Sequence, residues 1–130
     1  MIKKLALLFG VVFVLIGLLG FIPALAPKDS TGMPELLGLF MVGTIHNIIH
    51  LASGVAALYG VSKGEKYALL YFKVFGVVYA LVTIIGFIQK DTVLGIIHVN
   101  LADNLLHLVL ALAIGGIGFG LGGLSSKKRV

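Results

Sequence analysis

The chain is 130 residues long, 59 % apolar and only 12 % charged, with a mean hydropathy of +1.14 and a net charge of +5. That length allows one domain, and a charged fraction about half that of soluble domains leaves too few polar residues to cover a soluble core. Cysteine is absent, which excludes disulfides, thiolate nucleophiles and Cys-ligated zinc or iron–sulfur clusters. The lysines sit in short clusters between apolar runs, an arrangement that argues against a nucleic-acid face.

Four apolar runs predict four transmembrane helices, at about 5–22, 39–59, 67–88 and 101–124, within a single domain over 1–130. Each has roughly the 17–25 residues that a helix needs to cross the hydrocarbon core. A segment in lipid must satisfy its own backbone hydrogen bonds, so runs of this length read as helices despite their Val and Ile content. The first run has Lys3 and Lys4 ahead of it and Ala24-Leu25-Ala26 behind it, as a signal peptide would. It reads instead as a retained helix, because it is longer than a usual signal core and its pattern recurs later in the chain.

Pro23, Pro27 and Pro34 with Asp29-Ser-Thr-Gly32 mark the longest loop. The second run carries His46, Asn47, His50 and Ser53. The third begins beside Tyr59, Tyr67 and Tyr71, which are expected to form an interfacial aromatic belt, and contains Lys73, expected to snorkel to the same interface. The fourth carries Asp103, Asn104 and His107, and ends in Gly115, Gly116, Gly118, Gly120, Gly122 and Gly123. Gly116 with Gly120, or Gly118 with Gly122, make small-xxx-small faces for close helix contact, within the bundle or in a homodimer. His98 is expected to be interfacial and solvated.

Lys3, Lys4, Lys63, Lys66, Lys73, Lys127, Lys128 and Arg129 fall on one side of the predicted spans, and only Lys28 and Lys90 on the other. The positive-inside rule then places both termini in the cytoplasm.

Two matches predict a duplicated hairpin. Gly10 to Phe21 and Gly76 to Phe87 are identical at six of twelve positions, and Gly38 to Leu51 aligns with Gly95 to Leu108, placing Asn47 on Asn104 and His50 on His107. Buried polar residues are rare in membrane helices, so a repeated Asn-x-x-His-Leu weighs more than repeated apolar residues. The expected fold is all-α: a four-helix transmembrane bundle of two duplicated helical hairpins in parallel repeat. Helices two and four then lie diagonally, with their Asn-x-x-His units facing the axis in the outer half of the bilayer.

Gly17-Leu-Leu-Gly-Phe-Ile-Pro23, Leu37-Gly-Leu-Phe40 with His46-Asn-Ile-Ile-His50, and Ala102-Asp-Asn-Leu-Leu-His-Leu108 resemble a bacterial family of small four-helix membrane proteins catalogued as a domain of unknown function. The resemblance covers nearly the whole chain and implies a four-helix membrane fold in the bacterial inner membrane. It implies no activity, substrate or cofactor. The family pattern commonly has Asn where Gly43 stands, and Asn100 keeps that residue in the second half only.

His46 and His50, four residues apart, share one helix face, and Asp103 and His107 share the matching face. Three imidazoles and a carboxylate suit zinc, manganese or iron, with Asn47 and Asn104 as outer partners. Haem is a second candidate cofactor, with His50 and His107 as axial ligands and with Gly54 and Ala111 leaving room for the ring. Ser53, three after His50, would allow metal-assisted hydrolysis. Against these stands a structural role: Asn and His hold membrane helices together, and Asp103 is the third helical residue if Asn100 caps the fourth helix. The first expectation is therefore a structural or interaction protein without catalysis, in contact with the lipid bilayer, whose polar network includes Asn47, Asn100 and Asn104. Metal or haem binding by His50 and His107, with His46 and Asp103, is the alternative.

Overall fold

The computed structural model describes residues 1–123. The expected end of the fourth helix at Leu124 and the basic residues Lys127, Lys128 and Arg129 lie outside the described residues. The elements are α1 (Ile2–Leu19), β1 (Glu35–Leu36), β2 (Phe40–Met41), α2 (Thr44–Lys63), α3 (Glu65–Gln89), β3 (Thr92–Val93), β4 (Ile97–His98) and α4 (Leu101–Gly115), continued by a π-helical segment over Gly116–Leu121. Three of the helical stretches, Ile2–Leu19, Glu65–Gln89 and Leu101–Leu121, are long and apolar enough to cross a membrane. α2 has the length but not the apolarity, because His46, Asn47 and His50 occupy its first two turns.

Close approaches at glycines define how the helices pair. A Cβ on Gly10 would meet Ala57 and Leu58, and one on Gly17 would meet Leu51 and the Asn47 carbonyl, so α1 and α2 are antiparallel. A Cβ on Gly76 would lie 2.7 Å from the Gly115 Cα, and one on Gly118 would lie 2.8 Å from the Phe72–Lys73 backbone, so α3 and α4 are antiparallel too. Gly64 alone separates α2 from α3. The chain start, the α2–α3 junction and the π-helical end therefore share one end of the bundle, and the β-hairpins share the other. Gly118 faces α3 inside the bundle, whereas among the described residues nothing lies within 4 Å of a Cβ on Gly116 or Gly120.

The core joins Phe13, Phe72, Tyr79 and Ile114, with Phe9 edge-on to Phe72 at 5.6 Å and Tyr79 stacked on Phe13 at 5.6 Å between ring centroids. The outward faces are apolar as well: Leu15, Leu81 and Leu112 are at least half exposed. A helix surface that is apolar all round suits lipid rather than water.

Two features differ from an all-helical expectation. The run from Leu39 onwards does not begin a helix. Leu36 to Leu39 form a turn closed by Leu39 N–H to Leu36 carbonyl at 3.1 Å, with φ of 55° at Leu37 and 66° at Gly38. Val93 to Ile96 form the same turn at 3.2 Å, with 56° at Leu94 and 70° at Gly95. Positive φ at both central residues is the type I′ geometry whose twist matches a two-stranded hairpin, and each turn joins an antiparallel pair, β1–β2 and β3–β4. α2 therefore starts at Thr44, after β2. The second difference is Tyr71, which is buried and stacked on Phe75 rather than placed in an interfacial belt, while Tyr59 and Tyr67 are exposed.

In the loop before β1, the Asp29 carboxylate accepts from the Thr31 N–H and hydroxyl at 2.8 and 2.7 Å and from the Met33 N–H at 2.9 Å. The Thr31 hydroxyl, followed by these backbone donors, holds the Asp29 carboxyl below its usual pKa.

Candidate functional site

The polar residues gather where the β-hairpins hand over to α2 and α4. α2 opens on Gly43, which has no side chain to cap the helix. Its third helical residue, His46, folds back so that Nδ1 lies 2.8 Å from the Met41 carbonyl oxygen. A carbonyl only accepts, so Nδ1 carries the proton and Nε2 is left with a free lone pair. Asn47 folds back in the same way, its Nδ2 donating to the Val42 carbonyl at 3.1 Å.

α4 opens differently. Asn100 caps it through a capping box: Asn100 Oδ1 accepts from the Asp103 N–H at 2.9 Å, and Asp103 Oδ2 accepts from the Asn100 N–H at 2.9 Å. Each bond satisfies an amide that the first helical turn would otherwise leave bare. The same Asp103 oxygen accepts from the Met41 N–H at 3.1 Å, and Asn100 Nδ2 donates to the Leu39 carbonyl at 2.9 Å. The cap of α4 thereby clamps the β1–β2 hairpin.

Asn104 donates to the carbonyls of Gly86 and Lys90 at 3.1 and 3.3 Å, tying α4 to the end of α3. A Cβ on Gly86 would strike Asn104 Oδ1, as one on Gly20 would strike Asn47 Oδ1. Both asparagines lie directly on a glycine of the neighbouring helix.

The histidines form a separate group. His46, His50 and His107 are all buried. Each offers a ring nitrogen, and these nitrogens lie within 4.8 Å of one another. The His46 ring packs on His50 at 4.5 Å and on His107 at 5.5 Å between centroids. His46 Nε2, both nitrogens of His50 and Nδ1 of His107 have no hydrogen-bond partner among the described residues. Asp103 stands outside this group, with its carboxylate committed to the backbone amides of Asn100 and Met41. His98 is exposed on β4.

A cavity of about 150 Å³ between α2 and α3 reaches the cluster, lined among others by His46, His50, Ser53, Tyr79 and His107. It offers no slot for haem between His50 and His107, because the third imidazole packs on both. Nor does Gly54 provide one: a Cβ there would lie 2.8 Å from the Gly10 carbonyl oxygen, so α1 fills the space.

Tyr79 belongs to the site and carries no motif in the sequence. Its ring lies 5.8 Å from that of His107, and its hydroxyl is buried. The one available signal is Tyr79 with Thr83 a turn later in an otherwise apolar stretch of α3; the Thr83 hydroxyl donates to the Tyr79 carbonyl at 2.7 Å.

Residues 3–120 match a family described as a domain of unknown function (DUF4383). No curated protein and no solved structure matches the chain.

Proposed function

The chain belongs to the DUF4383 family, and on that premise we propose a small integral membrane protein that binds a divalent metal ion on His46, His50 and His107. All four helices span the bilayer, in two duplicated hairpins with both termini in the cytoplasm of a bacterial inner membrane. The matching Leu-Gly turns, the paired Asn–Gly contacts and the lysine distribution support that arrangement.

The observation that carries the metal assignment is the meeting of three buried imidazoles, four of whose six nitrogens have no hydrogen-bond partner among the described residues. A buried polar group without a partner costs about 1–3 kcal/mol, and a pairwise structural network would have joined these nitrogens to donors or to one another. The polar residues thus divide by role. Asn47, Asn100, Asp103 and Asn104 bond to backbone and fix the packing, as a structural network should. The histidines do not.

His46 is prepared as a ligand. Its Nδ1 proton is held by the Met41 carbonyl, which orients the ring and raises the basicity of Nε2. Three imidazoles form a donor set that would suit zinc, and all-nitrogen ligation disfavours manganese. Tetrahedral Zn–N bonds of about 2.0–2.1 Å bring the nitrogens to about 3.3 Å apart. From 4.8 Å this is a contraction of at most about 1.5 Å, within reach of small side-chain rotations.

The test is elemental analysis of protein purified in mild detergent without chelator. Near-stoichiometric zinc, lost in His46→Ala, His50→Ala and His107→Ala and retained in Asp103→Ala, is expected. A metal-free protein that also fails to take up added zinc overturns the metal assignment.

A further inference from the structure

The two hairpin turns carry no polar side chain: none occurs from Leu36 to Gly43 or from Val93 to Ile97. Leu37, Leu39, Leu94 and Ile96 are all more than half exposed. Leu37 and Leu94 also hold left-handed backbone, which crowds a Cβ against the following carbonyl oxygen. Glycine or asparagine would relieve that crowding. Leucine at both turns thus combines backbone strain with exposure, so its apolar surface is matched to something outside the chain.

The turns do not stand clear of the bundle. The Leu39 carbonyl accepts from Asn100 Nδ2 at 2.9 Å, so the first turn is level with the cap of α4. Directly after the cap, Leu101 and Leu105 are exposed on the outer surface of α4. The second turn belongs to the hairpin whose β4 lies against α2, and Ile97 of that strand lines a cavity with His46, the third residue of α2. The start of α2 exposes Ile45 and Ile48. Each turn therefore continues the apolar outer face of a helix.

The phase that covers the turns has to be apolar on one side and wet on the other. A two-stranded hairpin leaves the outer N–H and C=O groups of both strands unpaired, and hydrocarbon offers them no partner. The boundary between lipid headgroups and acyl chains meets both demands, since apolar side chains bury there beside hydrated polar groups. The charges follow the same division: Glu35, Lys90 and Asp91 stand at the bases of the hairpins, away from the turns. Lipid also surrounds the whole bundle, and so reaches turns that lie on two different helices.

We infer that both hairpin turns lie in the boundary between headgroups and acyl chains of one leaflet, with Leu37, Leu39, Leu94 and Ile96 inserted among the lipid chains. The inference rests on the membrane-spanning arrangement proposed above, in which that leaflet is the outer one, and does not depend on the metal.

The chain has no tryptophan, so a single introduced one reports its own surroundings. The experiment places Leu39→Trp and Ile96→Trp, each in the full-length protein, in phosphatidylcholine nanodiscs. Neither position has left-handed backbone, so the turns keep their residues there. Two references accompany them: Leu112→Trp, on the exposed face of α4 about 17 Å along the helix from Leu101, and Ser30→Trp, in the exposed loop before β1. Leu39→Trp and Ile96→Trp are expected to emit at shorter wavelength than Ser30→Trp. They should lose most of that emission to phosphatidylcholine brominated near the headgroup end of its chains, and little to iodide in the water. Leu112→Trp should respond most to lipid brominated at mid-chain, and Ser30→Trp to iodide alone. Iodide quenching at either turn, with Leu112→Trp still quenched by brominated lipid, overturns the inference and leaves the spanning helices standing. Emission at the turns that neither quencher reaches means that protein covers them, and overturns it too. If Leu112→Trp also escapes brominated lipid, the membrane arrangement falls and the inference with it.

Discussion

Asp103 and His46 are joined through one residue of the opposite hairpin: Asp103 Oδ2 accepts the Met41 N–H at 3.1 Å, and His46 Nδ1 lies 2.8 Å from the Met41 carbonyl oxygen. The cap of α4 and the tautomer of His46 are thus fixed by the same short strand. Asp103 acts on the histidine cluster at a distance, by holding the carbonyl that orients His46. Its removal is expected to loosen the bundle before it affects metal content. Asp103→Ala forfeits the cap and leaves a buried amide bare, a loss of about 2 kcal/mol that thermal unfolding in detergent would register. A variant that lost its metal at unchanged stability would make Asp103 a ligand instead.

Asn104 and Gly86 are expected to behave as one unit. A methyl group at Gly86 collides with Asn104 Oδ1 and forces the amide off its carbonyl partners. Gly86→Ala should therefore destabilise by about 1–3 kcal/mol. Much of that loss should vanish in the Asn104→Ala background, where the collision is gone. A double-mutant cycle measures the coupling, and simple additivity of the two changes would show that the contact has no energetic weight.

The glycines of the fourth helix are expected to divide by face. Gly118→Ala drives a methyl into the Phe72–Lys73 backbone and should lower the unfolding temperature markedly. Gly116→Ala enters open space and should be neutral or stabilising by up to about 1 kcal/mol through helix propensity. Equal losses at both positions, accompanied by a change in oligomeric state, would mean that Gly116 lies at an interface between copies.

Leu37 and Leu94 hold the left-handed conformation at hairpin tips where asparagine is the ordinary choice. They are 74 % and 64 % exposed, so packing gives little in return. Replacing either with Asn is expected to raise stability in detergent by about 1 kcal/mol. The opposite sign in nanodiscs, with the gain preserved in detergent, would show that the leucines anchor the tips in the bilayer interface.

The helices were legible because length and continuous apolarity are strong signals, and the cap of α4 because Asn100 and Asp103 have capping-box spacing. The hairpins were hidden. Their turns are Leu-Gly rather than Asn-Gly; the first runs into apolar residues that read as the start of a span, and the second falls in the short connection between the third and fourth runs. The candidate site was legible in its residue types, since His46, His50 and His107 stand out in an apolar chain. The division between His and Asp was not. Asp103 has the right spacing for a ligand and for a cap, and only the position of Met41 decides between them. Tyr79 was barely legible, because a tyrosine with a threonine one turn later in an apolar helix is a weak signal of burial or of a site.

Gly64 is the whole of the connection between α2 and α3. In the membrane topology proposed above, so short a link has the two helices enter the bilayer together, as a closed pair. α3 is apolar enough to drive that entry, and α2, with two histidines and an asparagine in its first turns, is carried in against it. On that proposed topology the imidazoles of α2 cross the membrane already facing a protein surface. Lengthening the link would expose them to lipid during biogenesis, although the finished bundle would be the same.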